Sequence, residues 1–185
     1  MINPYIVEKI YDIIKLIGDN PEREGMQQTA ERVAGMYEEI FKGYNKENKP
    51  KLTVFNNTEH YDQMIFDKTY FYSMCEHHII PFFGNAFIAY IPNKKLIGLS
   101  KLNRIVDFYA AKLQTQERLT HEIANELWKE LKPKGVAVML KARHLCKEMR
   151  GVKKQNSKMI TSCLKGVFLE KDNNVRNEFL KMTEL

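Results

Sequence analysis

Two short segments of this sequence concentrate side chains that bind metals and carry protons. The first is Cys75-Glu76-His77-His78, and the second, about 70 residues further along, is His144-Leu145-Cys146. Cys75 and His78 are three residues apart, a spacing at which a tight turn can aim a thiolate and an imidazole at one point. Zinc binds such sulfur and nitrogen ligands, and three protein ligands leave a fourth position for water. The spacing therefore favours an open, catalytic type of metal site.

Five side chains in these segments compete for the metal. Adjacent residues in an extended segment point to opposite sides, so His77 and His78 would rarely bind the same ion, whereas His144 and Cys146 would share one face of a strand. We interpret Cys75, His78 and Cys146 as the ligands. His77 and His144 then lie close by as proton carriers, since histidine titrates near neutral pH. Spacing alone does not decide between a metal site and a set of unrelated core and surface residues.

Composition and charge restrict the function further. Hydrophobic residues make up 44% of the 185 residues, which is enough for the core of one domain with a helical extension. No apolar run reaches the ~18–20 residues of a membrane span, and the N-terminus lacks a signal-peptide pattern. We therefore expect a cytoplasmic protein without a membrane partner.

The charge and the cysteine count point to the kind of partner and compartment. The net charge of +6 attracts anions such as nucleotide triphosphates. The basic residues are spread along the chain, which argues against a nucleic-acid-binding arm. Three cysteines form an odd set that fits a reducing compartment without disulfides, and we interpret Cys163, in a strand-like run, as a core residue.

Two helices are expected before the segments that carry the chemistry. Asn3 is the predicted cap of the first helix, which Gly18 ends. Thr29 is the predicted cap of the second helix, which ends at Gly43. These helices form a predicted N-terminal helical region, residues 1–50, ahead of a catalytic domain at 51–185.

From residue 52 the pattern becomes rich in β-strands. The predicted strands are Leu52–Phe55, Lys68–Ser73, Asn85–Ile91, Leu96-Ile97, Val136–Leu140 and Ser162–Leu169. The predicted helices are one capped by Ser100, one over Gln116–Leu131 and a short one over Asn174–Met182. Consecutive strands without a helix between them argue against a doubly wound parallel sheet. The predicted class is α+β, with an antiparallel sheet and helices on one face.

A series of short motifs extends along nearly the whole chain. Besides the two metal-binding segments, they lie at residues 20–25, 32–34, 98–104, 116–120, 135–138, 149–152 and 161–162. From about residue 5 to the C-terminal helix, the sequence resembles the GTP cyclohydrolase I family. Any one motif is weak, but this many in one order is specific.

The resemblance implies an activity and roles for matching residues. The activity is the zinc-dependent hydrolytic opening of the imidazole ring of GTP. It releases formate and gives 7,8-dihydroneopterin triphosphate, the first step of tetrahydrofolate and pterin biosynthesis. The implied zinc ligands are Cys75, His78 and Cys146, and the implied proton-transfer residues are His77 and His144. The implied substrate contacts are Glu117 and Gln116 to guanine, and Ser100, Lys101, Arg104, Arg150 and Arg32 to ribose and triphosphate.

The resemblance also implies a fold and an assembly. The fold is the tunnelling fold, an antiparallel sheet with two helices on one face, here preceded by an N-terminal helical hairpin. Two stacked rings of subunits form a homodecamer with active sites between subunits. The sequence departs from the family at Ala30, where proline is common. It also departs at Gly35, where family members often carry a lysine that reaches, with the residue matching Arg32, toward the triphosphate in a neighbouring subunit's site.

Two other hypotheses for the function can be tested. One is a different pterin- or deazapurine-pathway enzyme on the same fold, although such relatives lack the combination of both metal-binding segments with Gln116-Glu117. The other is a non-enzymatic zinc module for RNA or protein. That module would need a fourth protein ligand and would show no affinity for GTP.

Overall fold

The computed structural model describes residues 2–170 and 174–185. Its helices are α1 (Pro4–Leu16), α2 (Thr29–Ile40), α3 (Leu99–Ala110), α4 (Gln116–Leu131), α5 (Leu145–Glu148) and α6 (Val175–Met182). Its strands are β1 (Val54–Asn56), β2 (Ile65–Cys75), β3 (Ile80–Ile91), β4 (Lys95–Ile97), β5 (Leu113–Gln114), β6 (Gly135–His144) and β7 (Lys158–Gly166). No helix within these residues is both long and apolar enough to cross a membrane.

A mainly antiparallel sheet forms the centre of the described chain. Its strand order is β5-β2-β3-β6-β7, and only the short pairing of β5 with β2 is parallel. The strands β1 and β4 pair separately as an antiparallel ribbon. The predicted α+β class with an antiparallel sheet is confirmed.

One face of the sheet is covered by α3 and α4. Alternate residues of β6, such as Val136 and Val138, point into a core that they share with Ile105 of α3 and with Ile123 and Leu127 of α4. This is the period-2 pattern of a strand meeting the apolar stripe of a helix. Full burial of each such side chain stabilises the fold by about 1.5–3 kcal/mol.

Among the residues that the structure describes, the opposite face of the sheet is covered at one end. There Phe87 and Ala137 pack with Phe168 and with Phe179 of α6. The other end of the same face leaves Tyr72 with 70% of its surface exposed. The expectation that the helices all lie on one face is therefore wrong for α6, because β3 and β6 are apolar on both faces near this end.

Several predicted boundaries differ from the structure. Helix α3 begins at Leu99 with Gly98 as its cap, and Thr29 is the first residue of α2 rather than its cap. The residues Ser100 and Thr29 are therefore not the N-caps of these helices, although serine and threonine are common at that position. Strands β2 and β3 are longer than predicted, and β7 ends at Gly166, whose φ of 61° leads into a 3-10 turn.

Gly84 allows β3 and β6 to approach each other closely. A Cβ at this position would overlap the main chain of β6 at Lys141 and Ala142. The clash is with backbone, which cannot move aside without disturbing the sheet.

We expect Gly84→Ala to destabilise the protein by about 1–3 kcal/mol, as overpacking does. Thermal unfolding followed by circular dichroism measures the change. Gly35→Ala is the matched control, because its Cβ would meet only Ile2 Cδ1 at 3.6 Å within α2. That substitution should stabilise the helix by about 0.5–1 kcal/mol. Equal melting temperatures for the two variants would contradict this account of the sheet.

Candidate metal centre

The register of three strands brings the two metal-binding segments together. Strand β3 is antiparallel to both β2 and β6, so the ends of β2 and β6 lie on either side of its beginning. Cys75, the last residue of β2, pairs with Ile80, and His144, the last residue of β6, pairs with Phe82. Residues distant in sequence therefore meet at one edge of the sheet.

A tight turn aims His78 back at Cys75. The amides of His78 and Ile79 both donate to the Cys75 carbonyl, at 3.3 and 2.8 Å. Ile79 adopts φ 52°, which reverses the chain into β3. The Arg118 guanidinium forms an ion pair with the carboxylate of Glu76 and so ties this turn to α4.

A second local structure fixes Cys146. Strand β6 ends at His144, and Cys146 lies in the short helix α5. Arg143 Nε donates to Glu148 Oε1 at 3.0 Å and closes this helix against the strand end. The Arg143 guanidinium holds the pKa of Glu148 below its ordinary value, so this carboxylate stays charged.

Cys75, His78 and Cys146 form one cluster of potential ligands. Their ligand atoms all lie within 4.8 Å of one another, and Cys75 Sγ is 3.7 Å from His78 Nδ1. A tetrahedral zinc with Zn–S near 2.3 Å and Zn–N near 2.0–2.1 Å would separate its ligands by about 3.6 Å. The spacing therefore fits one metal ion.

The electrostatics of the cluster also fit a cation. Burial, and then the neighbouring Cys75, raise the pKa of the Cys146 thiol above its ordinary value. Two thiols side by side resist losing both protons unless a positive charge lies between them. A bound metal supplies that charge, since coordination deprotonates a thiol.

The local geometry differs from the prediction although it brings together the predicted ligand cluster. His77 and His78 lie in a turn rather than in an extended segment, and His77 Nδ1 is also only 3.8 Å from Cys75 Sγ. His144 and Cys146 do not share a strand face, because the chain enters α5 between them. The period-2 argument for these two pairs is therefore wrong.

His144 is held on two sides beside the cluster. Its ring stacks on Phe82, with the centroids 4.6 Å apart and the planes 4° from parallel. Its Nε2 is 2.8 Å from Gln116 Oε1. Burial lowers the pKa of His144, and the Glu117 carboxylate acts in the opposite direction.

Gln116 and Glu117 are adjacent in α4 but have different surroundings. Gln116 has 1% of its surface exposed, and its Nε2 lies 3.1 Å from Leu140 O and 3.1 Å from Met159 O. Glu117 is exposed in the first turn of the helix. Only Glu117 of this pair presents its side chain to solvent.

The predicted phosphate-contacting residues lie on several elements. Ser100 and Lys101 are in the first turn of α3, and Arg104 follows one turn later. Arg150 is exposed just beyond α5, and Arg32 is exposed on α2, where its Nη2 donates to Gln28 Oε1 at 3.0 Å.

Three supporting side chains were not singled out from the sequence. Phe82 stacks on His144, Arg118 holds the turn of the first segment, and Thr161 accepts from Gln116 Nε2 at 3.0 Å. Arg118 and Thr161 lie inside the recognised motifs, so motif membership was the available signal. No signal in the sequence pointed to Phe82, because only the register of β3 against β6 places it opposite His144.

The sheet and the cluster of two thiols and one imidazole are those of an α+β protein with a group of side chains able to hold a metal ion. The model of the family described as GTP cyclohydrolase I matches residues 6–184. The chain therefore belongs to the GTP cyclohydrolase I family.

Curated relatives match over most of their length. The chain is 50% identical over 182 residues to GTP cyclohydrolase 1 of Aquifex aeolicus, covering 96% of each chain. It is 48% identical over 164 residues to the enzyme of the same name from Thermoanaerobacter pseudethanolicus, covering 88% of this chain and 87% of the relative. It is 45% identical over 178 residues to that of Streptococcus mutans, covering 96% and 92%.

We expect Cys75→Ala and Cys146→Ala each to lose stoichiometric divalent metal, because two donors bind far more weakly than three. The measurement is metal content per chain, together with thiolate-to-cobalt charge-transfer absorption after loading with Co²⁺. Cys163→Ala is the matched control, since Cys163 is buried in β7 with its Sγ 3.7 Å from His121. If Cys146→Ala kept one metal per chain, or Cys163→Ala lost it, the assigned cluster would be wrong.

Proposed function

We propose that this chain catalyses the GTP cyclohydrolase I reaction. Water opens the imidazole ring of the guanine of GTP, carbon 8 leaves as formate, and the product is 7,8-dihydroneopterin triphosphate. The family match over residues 6–184 is the observation that carries this proposal. The cluster of two thiols and an imidazole supports it, because zinc deaminases use the same His/Cys/Cys donor set to activate water.

Zinc is the metal we propose for the cluster. Cys75, His78 and Cys146 would hold it, and thiolate with imidazole is a donor set that suits zinc better than magnesium or calcium. When bound, zinc supplies Lewis-acid activation of water at its open position. Among the described residues three donors come together, not the four of a closed structural module, which favours the enzyme over a binding module.

His144 and His77 are the proposed proton carriers. The opening of the imidazole ring requires a proton on a ring nitrogen as the carbon–nitrogen bond breaks. A histidine near neutral pKa can give that proton and take one back in a later step. Stacking on Phe82 shields one face of the His144 ring, whereas the His77 side chain is 64% exposed to solvent.

Glu117 is the residue that we propose to recognise the guanine base. A carboxylate can accept hydrogen bonds from both N1–H and the exocyclic amine of guanine, which adenine does not offer together. Its exposed position near His144 supports this role.

The triphosphate is proposed to lie against the cationic residues. Ser100 and Lys101 are at the N-terminal end of α3, where free backbone amides and the helix dipole favour anions. Arg104 and Arg150 would add charge-assisted contacts. Arg32 would reach the site of a neighbouring subunit, and Gly35 removes a cation that the family often adds there.

We propose the tunnelling fold with an N-terminal helical hairpin, and a homodecamer as the assembly. On this proposal residues 1–50 form the helical region and 51–185 the catalytic domain, in the cytoplasm and without nucleic-acid partners. Helices α1 and α2 pack against each other, which supports the hairpin. Within the described residues β5 pairs only with positions 74–75 of β2, so most of that edge is open to pairing with another subunit.

We expect wild-type protein with bound zinc to release formate from GTP, and Glu117→Gln to lose at least about tenfold in kcat/KM. One charge-assisted hydrogen bond contributes about 1.5–3 kcal/mol. In addition, the NH₂ group of the new glutamine would face an N–H group of guanine, and neither can accept a hydrogen bond from the other. Glu130→Gln, on the far end of α4, is the matched control and should stay within about twofold. No formate from the wild type would refute the proposed reaction. Equal losses in both variants would refute only the role of Glu117.

A further inference from the structure

We infer that Gln116 is a positioning residue that fixes the tautomer of His144, placing the hydrogen on Nε2 and the lone pair on Nδ1. The sequence and the family resemblance had placed Gln116 beside Glu117 as a guanine contact. The tautomer itself follows from a hydrogen-bond network within the chain. Only its kinetic consequence rests on the proposed function.

The first step of the argument is the direction of two hydroxyl hydrogen bonds. Thr120 Oγ1 is 2.7 Å from the main-chain carbonyl oxygen of Gln116. That oxygen can only accept, so Thr120 donates. The single hydroxyl hydrogen of Thr120 is then used. In the 2.7 Å contact between the hydroxyls of Thr120 and Thr161, Thr161 must therefore donate.

The second step is the orientation of the Gln116 amide. Thr161 Oγ1, having donated to Thr120, accepts from the nitrogen of Gln116 at 3.0 Å. The same nitrogen faces the carbonyl oxygens of Leu140 and Met159, each at 3.1 Å. A flipped amide would place its oxygen against three oxygen atoms, so the network admits one orientation.

The third step passes this orientation to His144. With its nitrogen turned toward the carbonyl groups, Gln116 presents Oε1 to His144 Nε2 at 2.8 Å. An amide oxygen can only accept, so Nε2 must carry the hydrogen. Neutral imidazole carries one ring hydrogen, which leaves a lone pair on Nδ1.

Burial gives the network its rigidity. Gln116 and Thr120 each have 1% of their surface exposed, so water does not compete for these hydrogen bonds. Hydrogen bonds in such a dry environment are strong and costly to leave unmade. The stack on Phe82 fixes the plane of the His144 ring, and Gln116 fixes its rotation within that plane.

The consequence is that the two nitrogens of the His144 ring have different roles. Nε2–H stays bound to Gln116, which leaves the lone pair of Nδ1 as the basic atom of the ring. Gln116 therefore acts on the reaction through His144 and should change the rate of the chemical steps more than the affinity for GTP. The wrong tautomer of a catalytic histidine can cost up to roughly 10⁴-fold in kcat.

The direct test is magic-angle-spinning NMR of the zinc-loaded protein labelled with ¹⁵N-histidine, at about pH 8, above the ordinary histidine pKa. The chain has five histidines, and the signals lost in His144→Asn identify those of His144. We expect a pyrrole-type Nε2 and a pyridine-type Nδ1. A pyrrole-type Nδ1 in the wild type would overturn the inference, whatever the behaviour of any variant.

The kinetic test compares two buried glutamines. Gln116→Met keeps the side-chain volume and removes the acceptor, so we expect mixed tautomer signals, a kcat at least about tenfold lower, and a KM for GTP within about threefold. Gln114→Met is the matched control, because Gln114 also has 1% exposure but its amide donates to Tyr109 O and Glu122 Oε2. It should leave the His144 signals unchanged and kcat within about threefold.

The remaining outcomes separate the two proposals. A raised KM with unchanged kcat in Gln116→Met would overturn positioning in favour of substrate contact. Equal losses of kcat in both variants, with unchanged His144 signals, would overturn it in favour of a merely structural role. If the wild type released no formate, the proposed reaction would fail, while the wild-type NMR spectrum would still decide the tautomer.

Discussion

The register of β3 between β2 and β6 is the constraint on which the candidate site depends. Because β3 runs antiparallel to both neighbours, two chain segments about 70 residues apart end at the same edge of the sheet. A slip of one residue would turn every side chain to the opposite face. Cys75 would then leave the cluster, and Phe82 would no longer face His144. The close approach of the strands at Gly84 is part of the same constraint.

The helix α4 divides its functions between two neighbouring residues. Consecutive positions on a helix differ by about 100° and do not face each other. Gln116 therefore turns into the buried network of β6 and β7, while Glu117 turns to solvent. In the proposed function, Gln116 supports the proton carrier and Glu117 meets the substrate, so the start of one helix joins the buried network to the exposed site.

The structure brings Cys75 and His78 together in the kind of tight turn that their spacing predicted. Cys75 and His78 are close in the chain, and their turn chemistry is local. Cys146 was added to them from its donor type and its predicted place on a strand, and the family resemblance implied the same three ligands. The predicted strand face for His144 and Cys146 was wrong, because the Arg143–Glu148 pair favours the short helix α5. The amide orientation of Gln116 had no sequence signal. It depends on backbone carbonyls of β6 and β7, which come near α4 only in the folded protein.

The claim at the centre of this description is a metal held by two thiolates and one imidazole, with a position left for water. X-ray absorption at the zinc edge of protein carrying one zinc per chain measures that ligand set directly. Two sulfur atoms near 2.3 Å with nitrogen or oxygen atoms near 2.0–2.1 Å are expected. A shell with three or more sulfur atoms, or with none, would contradict the assigned centre.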